Sequence, residues 1–428
     1  MHTRRAGSPQ ADEPPMSVGA RARSAGHQQE PHHEDDCEMR RYERPIYISQ
    51  GARSLVKLSL MQENLARGLS LVSRAVSSRA TLPVLANVLL KTQDGGLRLT
   101  ATNLEIGISV WVPGKIENEG TMTVPARLIT DVVGGLPTGE RVDLEMEGED
   151  TLLMNAGSYK TRLRGIDAEE FPVIPAAGDQ PTTQVSQKAL RRALSEVTFA
   201  AAADETRPIL TGVLTQFSEK TLTLAAADNY RIAVKTLELM NPVDDTSVVI
   251  PARSFTELMR VLGDTDDPVD IILAQAKSQV IFKVDTTEVV SRLIDGQFPN
   301  YQSVLPTSHS TRALVDRDEL LQAVRLTALI ASSSANVVRL GFGEEEHPGS
   351  VSVNAKADIG DAEGQVEAQL EGDPVTIAFN ARYMVEALQN MEAEQLAVEL
   401  SGPLAPGVLK PVDDPAYVHV IMPVRTPS

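Results

Sequence analysis

The segment Ile250–Gly263, IPARSFTELMRVLG, recurs at two other places in the 428-residue chain: Val124–Gly135 reads VPARLITDVVGG and Phe379–Met391 reads FNARYMVEALQNM. Aligned on Ala126, Ala252 and Ala381, the copies stand 126 and 129 residues apart, a spacing of duplicated domains rather than of a solenoid. Each copy leads from an apolar β-former through Pro or Asn into a helix. In the middle copy Phe255, Leu258, Met259 and Leu262 fall at i, i+3, i+4 and i+7, one apolar stripe with Arg253, Glu257 and Arg260 off it. One such helix is commonplace, but three at matching offsets predict three homologous units.

The rest of the chain follows the same order. An earlier helix in each unit aligns on Leu65, Leu190 and Leu320, and a strand turn aligns on Asn103, Asp228 and Asp358, both sets at offsets of 125 and 130. Alternating strands follow the second helix at Val142–Met146, Val269–Leu273 and Leu396–Leu400. Each unit reads as two helices and about eight strands, an α+β domain with helices on one face of antiparallel sheet. The units are expected at residues 54–177, 183–307 and 309–428. Residues 1–53 balance eight Arg against eight Asp plus Glu without hydrophobic periodicity and read as a disordered extension. Within it His32, His33, Asp35, Asp36 and Cys37 crowd together without the spacing of a metal site.

The single cysteine, Cys37, cannot form an internal disulfide, and no run approaches the 18 or so apolar residues of a membrane span, so a cytoplasmic protein is expected. No GxxxxGK[ST], HExxH, CxxC or GxSxG stretch occurs. His309, His347 and His419 are far apart, and Asp266–Asp267 sits in a turn beside Pro268. Neither a catalytic constellation nor a cofactor is expected. The net charge of −18 disfavours a nucleic-acid partner. The six helical stretches nevertheless sum to +4, leaving −22 elsewhere. A basic helical layer suits sequence-independent phosphate contact, and solvated helix faces favour Arg in any case, so charge alone leaves both readings open.

Five further stretches, ATLPVLANVLL (Ala80–Leu90), RPILTGVL (Arg207–Leu214), AADNYRIAV (Ala226–Val234), FPNYQSVLP (Phe298–Pro306) and YVHVIMPVR (Tyr417–Arg425), occur in this order. Together they resemble the bacterial DNA polymerase III β subunit family, the β sliding clamps, from Leu55 to Arg425, with phrasing nearest the actinobacterial members. The resemblance implies a homodimer of three-domain subunits closed head to tail into a ring, helices lining the hole. It implies no catalysis, and it implies duplex DNA, the polymerase III catalytic subunit, a clamp loader and other clamp-motif proteins as partners. A specialised paralogue for repair synthesis or inhibitor-resistant replication is the alternative.

Carried over residue by residue, the family's partner-peptide pocket falls on Leu210, Ala227, Asn229, Tyr230, Arg231, Ile232, Pro299, Ser303, Val304, Val420, Met422, Pro423, Val424 and Arg425. Tyr230 and two arginines are expected at its edge, and Asn229 is expected to tolerate the left-handed conformation. Ser303 and Thr426 depart from the family pattern and put motif preference in doubt. Candidates to face DNA are Arg67, Arg74, Arg79, Arg127, Lys188, Arg191, Arg192, Arg207, Arg253, Arg260, Arg325 and Arg382. Leu329 and Ile330 match apolar positions of the subunit interface, with the strand around Thr161 as their partner surface.

Overall fold

The computed structural model describes residues 56–77, 82–174, 180–274 and 278–425. The extension 1–53 with its His/Asp/Cys group, Arg79 and Thr426 lie outside the described residues.

Three passes through one element order build the fold. The first runs β1 (Lys57–Met61), α1 (Gln62–Val72), β2 (Asn87–Gln93), β3 (Gly96–Thr102), β4 (Ile106–Pro113), β5 (Lys115–Asn118), β6 (Thr121–Pro125), α2 (Ala126–Gly134), β7 (Arg141–Glu147), β8 (Thr151–Ala156) and β9 (Tyr159–Arg164). The second runs β10 (Thr183–Ser186), α3 (Gln187–Val197), β11 (Gly212–Ala227), β12 (Arg231–Pro251), α4 (Ala252–Met259), β13 (Pro268–Ala274), β14 (Gln279–Val284) and β15 (Thr287–Arg292). The third runs β16 (Thr311–Asp316), α5 (Arg317–Ala331), β17 (Val337–Glu344), β18 (His347–Ala357), β19 (Gly360–Gly372), β20 (Val375–Asn380), α6 (Ala381–Asn390), β21 (Gln395–Leu400), β22 (Gly407–Pro411) and β23 (Tyr417–Ile421). The second unit has fewer, longer strands because β11 and β12 continue where the first unit breaks. Glu219, at φ 49, takes the turn position that Asp94 takes at φ 52.

The repeated helix begins as its sequence implies. Pro125, Pro251 and Asn380 are the N-cap residues, and the Asn380 carboxamide accepts from the Arg382 and Tyr383 amides. Leu65, Leu190 and Leu320 are fully buried, as are Phe255 and Leu258 of the middle stripe. The helices pair α1 with α2, α3 with α4 and α5 with α6 against the sheets. The third unit's turn is offset by one residue from the sequence alignment. Ala355 pairs with Ala362 where Ala226 pairs with Ala233, so Ala357, not Asp358, stands in the place of Asp228. Hairpin register, which the sequence does not display, sets the equivalence at 129 residues there.

Sheets cross the unit boundaries. An eight-stranded sheet, β10-β13-β14-β15-β4-β3-β2-β6, joins the first and second units, and a ten-stranded sheet, β11-β12-β23-β22-β21-β16-β19-β18-β17-β20, joins the second and third. A five-stranded sheet, β5-β1-β7-β8-β9, belongs to the first unit alone. At the first junction Ser291 pairs with Ile106 and Thr287 with Val110; at the second Ile421 pairs with Arg231 and Tyr417 with Lys235. These are equivalent positions, so both junctions have one register.

His419 lies on β23 at the second junction, fully buried and stacked on Phe199 at 5.4 Å between ring centres. Burial first and the nearby Arg231 charge second lower its pKa from 6.5 to about 3. The folded state therefore keeps this imidazole neutral while the unfolded chain protonates near pH 6.5. The stabilisation is complete above that pH and is lost as pH falls toward 3. Between pH 6.5 and 5 the loss from this residue is expected to be about 2 kcal/mol. Equilibrium denaturation of wild type and His419→Phe across that window checks it: the variant, which keeps the stacking, should show the flatter dependence.

Candidate functional site

The turn between β11 and β12 sets the site. Asp228 Oδ1 accepts from the backbone N–H of Tyr230 at 2.7 Å and of Arg231 at 3.0 Å, so a short side chain fixes the turn. Asn229 is not among the residues at positive φ, so the expected left-handed geometry is not used; the Asp228 hydrogen bonds hold the turn without it. In the first unit Leu104, not a glycine or asparagine, takes that conformation at φ 76.

The turn throws consecutive side chains to opposite sides. Tyr230 points out and is 55% exposed, while Arg231 turns in and is 6% exposed. Arg231 donates to Asp228, to Glu386 of α6 and to the Phe199 carbonyl at 3.1, 2.5 and 2.8 Å, and its guanidinium lies 4.5 Å from the Tyr383 ring centre. Arg231 is thus not an edge residue: three acceptors and two aromatic faces offset the cost of burying its charge. Burial would raise the Glu386 pKa, but hydrogen bonds from Arg382 and Arg231 outweigh it and hold the carboxyl below its usual range.

Leu210, Ala227, Ile232 and Val420 come together in one apolar cluster with Leu214, Val249, Phe298 and Tyr301. Around it Tyr230, Val304 and Met422 stay substantially exposed, a rim of large apolar side chains. The carboxy-terminal segment is tied down by backbone bonds from Met422 to Tyr230 at 2.7 Å and from Val424 to Ala378 at 2.8 Å, which carries Pro423 and the exposed Arg425 alongside. Pro299 and Ser303 lie exposed on the covering loop, Ser303 donating to the Asn300 carbonyl. Arg207 donates to the Asn229 side chain at 3.1 Å. The edge cations are therefore Arg207 and Arg425. Tyr383 and Glu386, absent from the sequence expectations, complete the group, Tyr383 stacking on Tyr230 at 6.0 Å. Glu386 stands on the recurring helix where the other copies have Asp131 and Glu257, an acidic position the repeat could have flagged; Tyr383 aligns with Leu128 and Ser254 and carries no such signal.

A second ionic group lies beneath the junction. Lys235 meets Glu196 and Asp414, and Arg192 meets Glu196 at 3.1 Å, Asp414 at 3.0 Å and Glu392 at 3.4 Å. Arg192, expected to face DNA, is committed to this network instead, because three carboxylates from two units converge on it. Arg67, Arg74, Arg191, Arg253 and Arg325 are exposed on or just after helices. Arg127, Lys188, Arg260 and Arg382 are exposed and pair loosely or locally with Asp131, Asp264, Glu257 and Glu386. Arg127, Arg253 and Arg382 share one position in the first turn of the recurring helix, where no acidic residue stands. A cation there opposes the helix dipole by about 0.3–1 kcal/mol, so its threefold recurrence was a signal available in the sequence. Arg382 also contacts Glu386 beside the Tyr230 turn, which puts it near the apolar rim. Leu329 is 69% exposed at the end of α5, Ile330 half-buried beside it, and Thr161 half-buried on β9.

Three family models cover the described chain in order: the DNA polymerase III beta subunit N-terminal domain at residues 56–175, central domain at 184–300 and C-terminal domain at 302–425. The chain belongs to the DNA polymerase III beta subunit family. A beta sliding clamp of Synechococcus elongatus is 35% identical over 377 residues, covering 87% of this chain and all of that protein. The beta sliding clamp of Bacillus subtilis is 31% identical, with the same 87% coverage. A crystal structure of the Bacillus subtilis DNA polymerase sliding clamp matches with TM-score 0.82 at 30% identity, covering 87% of this chain and all of that one. The Pseudomonas aeruginosa sliding clamp crystallised with griselimycin matches at 0.81 and 30%, with the same coverage. The three-unit architecture is that of the sliding clamps.

Removing the buried cation should be costly. Arg231→Met leaves the Asp228 carboxylate without its ion-pair partner and Glu386 with Arg382 alone, and is expected to destabilise the fold by about 3 kcal/mol. Arg192→Met, in a group a third exposed, should cost about 1 kcal/mol or less after solvent screening. Urea denaturation of both variants at neutral pH measures the difference, and equal effects would refute the ranking.

Proposed function

We propose that this protein is a sliding clamp that encircles duplex DNA as a ring-shaped homodimer, acts in the cytoplasm, and tethers the replicative polymerase without catalysing a reaction itself. One observation carries the ring. Both internal junctions pair the last strand of one unit with the strand after the turn of the unit before it, in the same register. Among the described residues the same two kinds of edge remain unpaired on the outside: β9, which pairs there only with β8, and the Gly360–Val366 part of β19, which pairs there only with β18. Applying the shared register to them sets Leu163 across Gly360, Thr161 across Ala362 and Tyr159 across Gly364.

One chain cannot satisfy both edges with itself, but two chains can, each head meeting the other's tail, and the assembly then closes. Unpaired sheet edges are otherwise templates for aggregation. Leu329 occupies on α5 the place of Phe199, which covers the second junction; Leu329 and Ile330 would cover the third in the same way, over Thr161 of the partner subunit. Six repeats of the helix pair would then line the hole. Its cations include Arg67, Arg74, Arg191, Arg253, Arg260 and Arg325, making sequence-independent phosphate contacts. Retention on DNA would be topological, so the acidic body is no obstacle.

The apolar cluster rimmed by Tyr230, Val304 and Met422 is the docking groove for extended peptides of the polymerase, the clamp loader and other partners. Its aliphatic floor takes apolar anchors, and Arg207 and Arg425 suit an acidic or polar flank.

Thr161→Cys combined with Ala362→Cys should cross-link wild-type-sized chains into a covalent ring under oxidation, seen as a dimer in denaturing gels and as protein trapped on circular but not linear DNA. A monomer by light scattering would defeat the ring. Met422→Glu should lower polymerase stimulation by at least about tenfold while the dimer persists, since a buried anchor contact is worth roughly 1–2 kcal/mol or more; unchanged stimulation would remove the groove assignment.

A further inference from the structure

The junction between the first and second units repeats the peptide groove's construction. Arg292 donates its backbone N–H to the Glu105 carbonyl at 2.9 Å, as Met422 does to Tyr230 at 2.7 Å. Ile294 donates to Val249 at 2.8 Å, as Val424 does to Ala378 at 2.8 Å. Glu105 therefore stands for Tyr230, Leu104 for Asn229, Arg292 for Met422 and Asp295 for Arg425. Between these parts lies a cleft of about 320 Å³, bordered by Leu104, Glu105, Val173, Ile174, Gln279 and Arg292, within the range of small ligand sites.

Three features point to an occupant. Val173 is 97% exposed and Leu104 45% exposed, large apolar groups facing solvent at the rim. Leu104 holds its place at φ 76, a conformation that costs a non-glycine residue energy and marks functional segments. The Gln279 side-chain oxygen is buried with no hydrogen-bond donor among the described residues, an acceptor that a bound backbone N–H would satisfy.

The rim also differs in charge from its counterpart. Arg207 and Arg425 give the second-to-third groove two positive positions, whereas the lining of this cleft carries one acid, Glu105, and one base, Arg292, which sum to zero. An acidic flank has nothing to meet here.

We propose that the first-to-second junction is a second peptide-docking groove, selecting an extended, uncharged, aliphatic segment of a partner protein whose backbone donates to Gln279. The inference takes the second-to-third groove as its template and so rests on the reading of that groove as a peptide site. Two side-chain differences follow on the strand after the turn: the buried Arg231 cation is replaced by Ile106, and Ile232 by Gly107, whose missing side chain leaves room for Ile174 at 3.2 Å from where a Cβ would stand.

Fluorescence anisotropy on the full chain tests this with two end-blocked, fluorescein-labelled peptides, one alternating Leu and Ser, the other the same with two aspartates appended. In a Met422→Glu background, which silences the second-to-third groove, the neutral peptide should still bind and should weaken at least about tenfold with Val173→Glu and with Val173→Lys, and severalfold with Gln279→Leu. Because Val173 is exposed, its variants should melt as wild type does. The proposal is overturned if the neutral peptide fails to bind wild type at millimolar concentration, or if its binding depends on Met422 and ignores Val173. The acidic peptide reports on the template separately: it should respond to Met422→Glu and not to Val173→Glu, and the reverse would sink the template reading.

Discussion

Edge-to-edge strand pairing is the constraint on which this architecture depends. Every repeat ends in a strand with a free row of backbone donors and acceptors, and such a row must be paired, covered or left to water. β15 is satisfied by β4 and β23 by β12 in one register. The continuity of the sheets across units is thus the direct result of duplicating a domain whose two edges are complementary.

Holding these edges together fixes what lies above and below them. On the helix side of the second junction, Arg231 and Lys235 point from β12 into carboxylates carried by α3, α6 and the loop before β23. Buried ion pairs of this kind add little net stability compared with apolar packing, but removing one partner is expensive. They act as a register lock, since a slip of one residue would turn both cations to the other face. On the opposite side the same strands present Ile232, Val420 and their neighbours, and the turn fixed by Asp228 presents Tyr230. The apolar groove and the buried network are two faces of one strand pair.

The first junction shows what happens when the edge pairing is kept and the side chains change. Ile106, Ile108 and Val110 take the places of Arg231, Ala233 and Lys235, so its helix-side face is apolar and has no lock of charges, and its outer rim loses net charge. The backbone geometry survives because it depends on N–H and C=O groups that all residues share.

Much of this was legible in the chain itself. The repeat at Ala126, Ala252 and Ala381 determines three units, and the spacing of Phe255, Leu258 and Leu262 determines which helix face is buried, because apolar burial follows periodicity alone. That Leu210, Ala227, Ile232 and Val420 belong together was legible through family resemblance, and they share one apolar cluster. What only the tertiary structure decided is the fate of each charge and each edge. Arg231 is buried and Arg192 is captured by three carboxylates, while Arg127 and Arg253 remain exposed. The Asp228 equivalent in the third unit is Ala357. These outcomes rest on which strands pair and in which register, and so on contacts between residues as far apart as Arg192 and Asp414. Local sequence carries no record of that proximity.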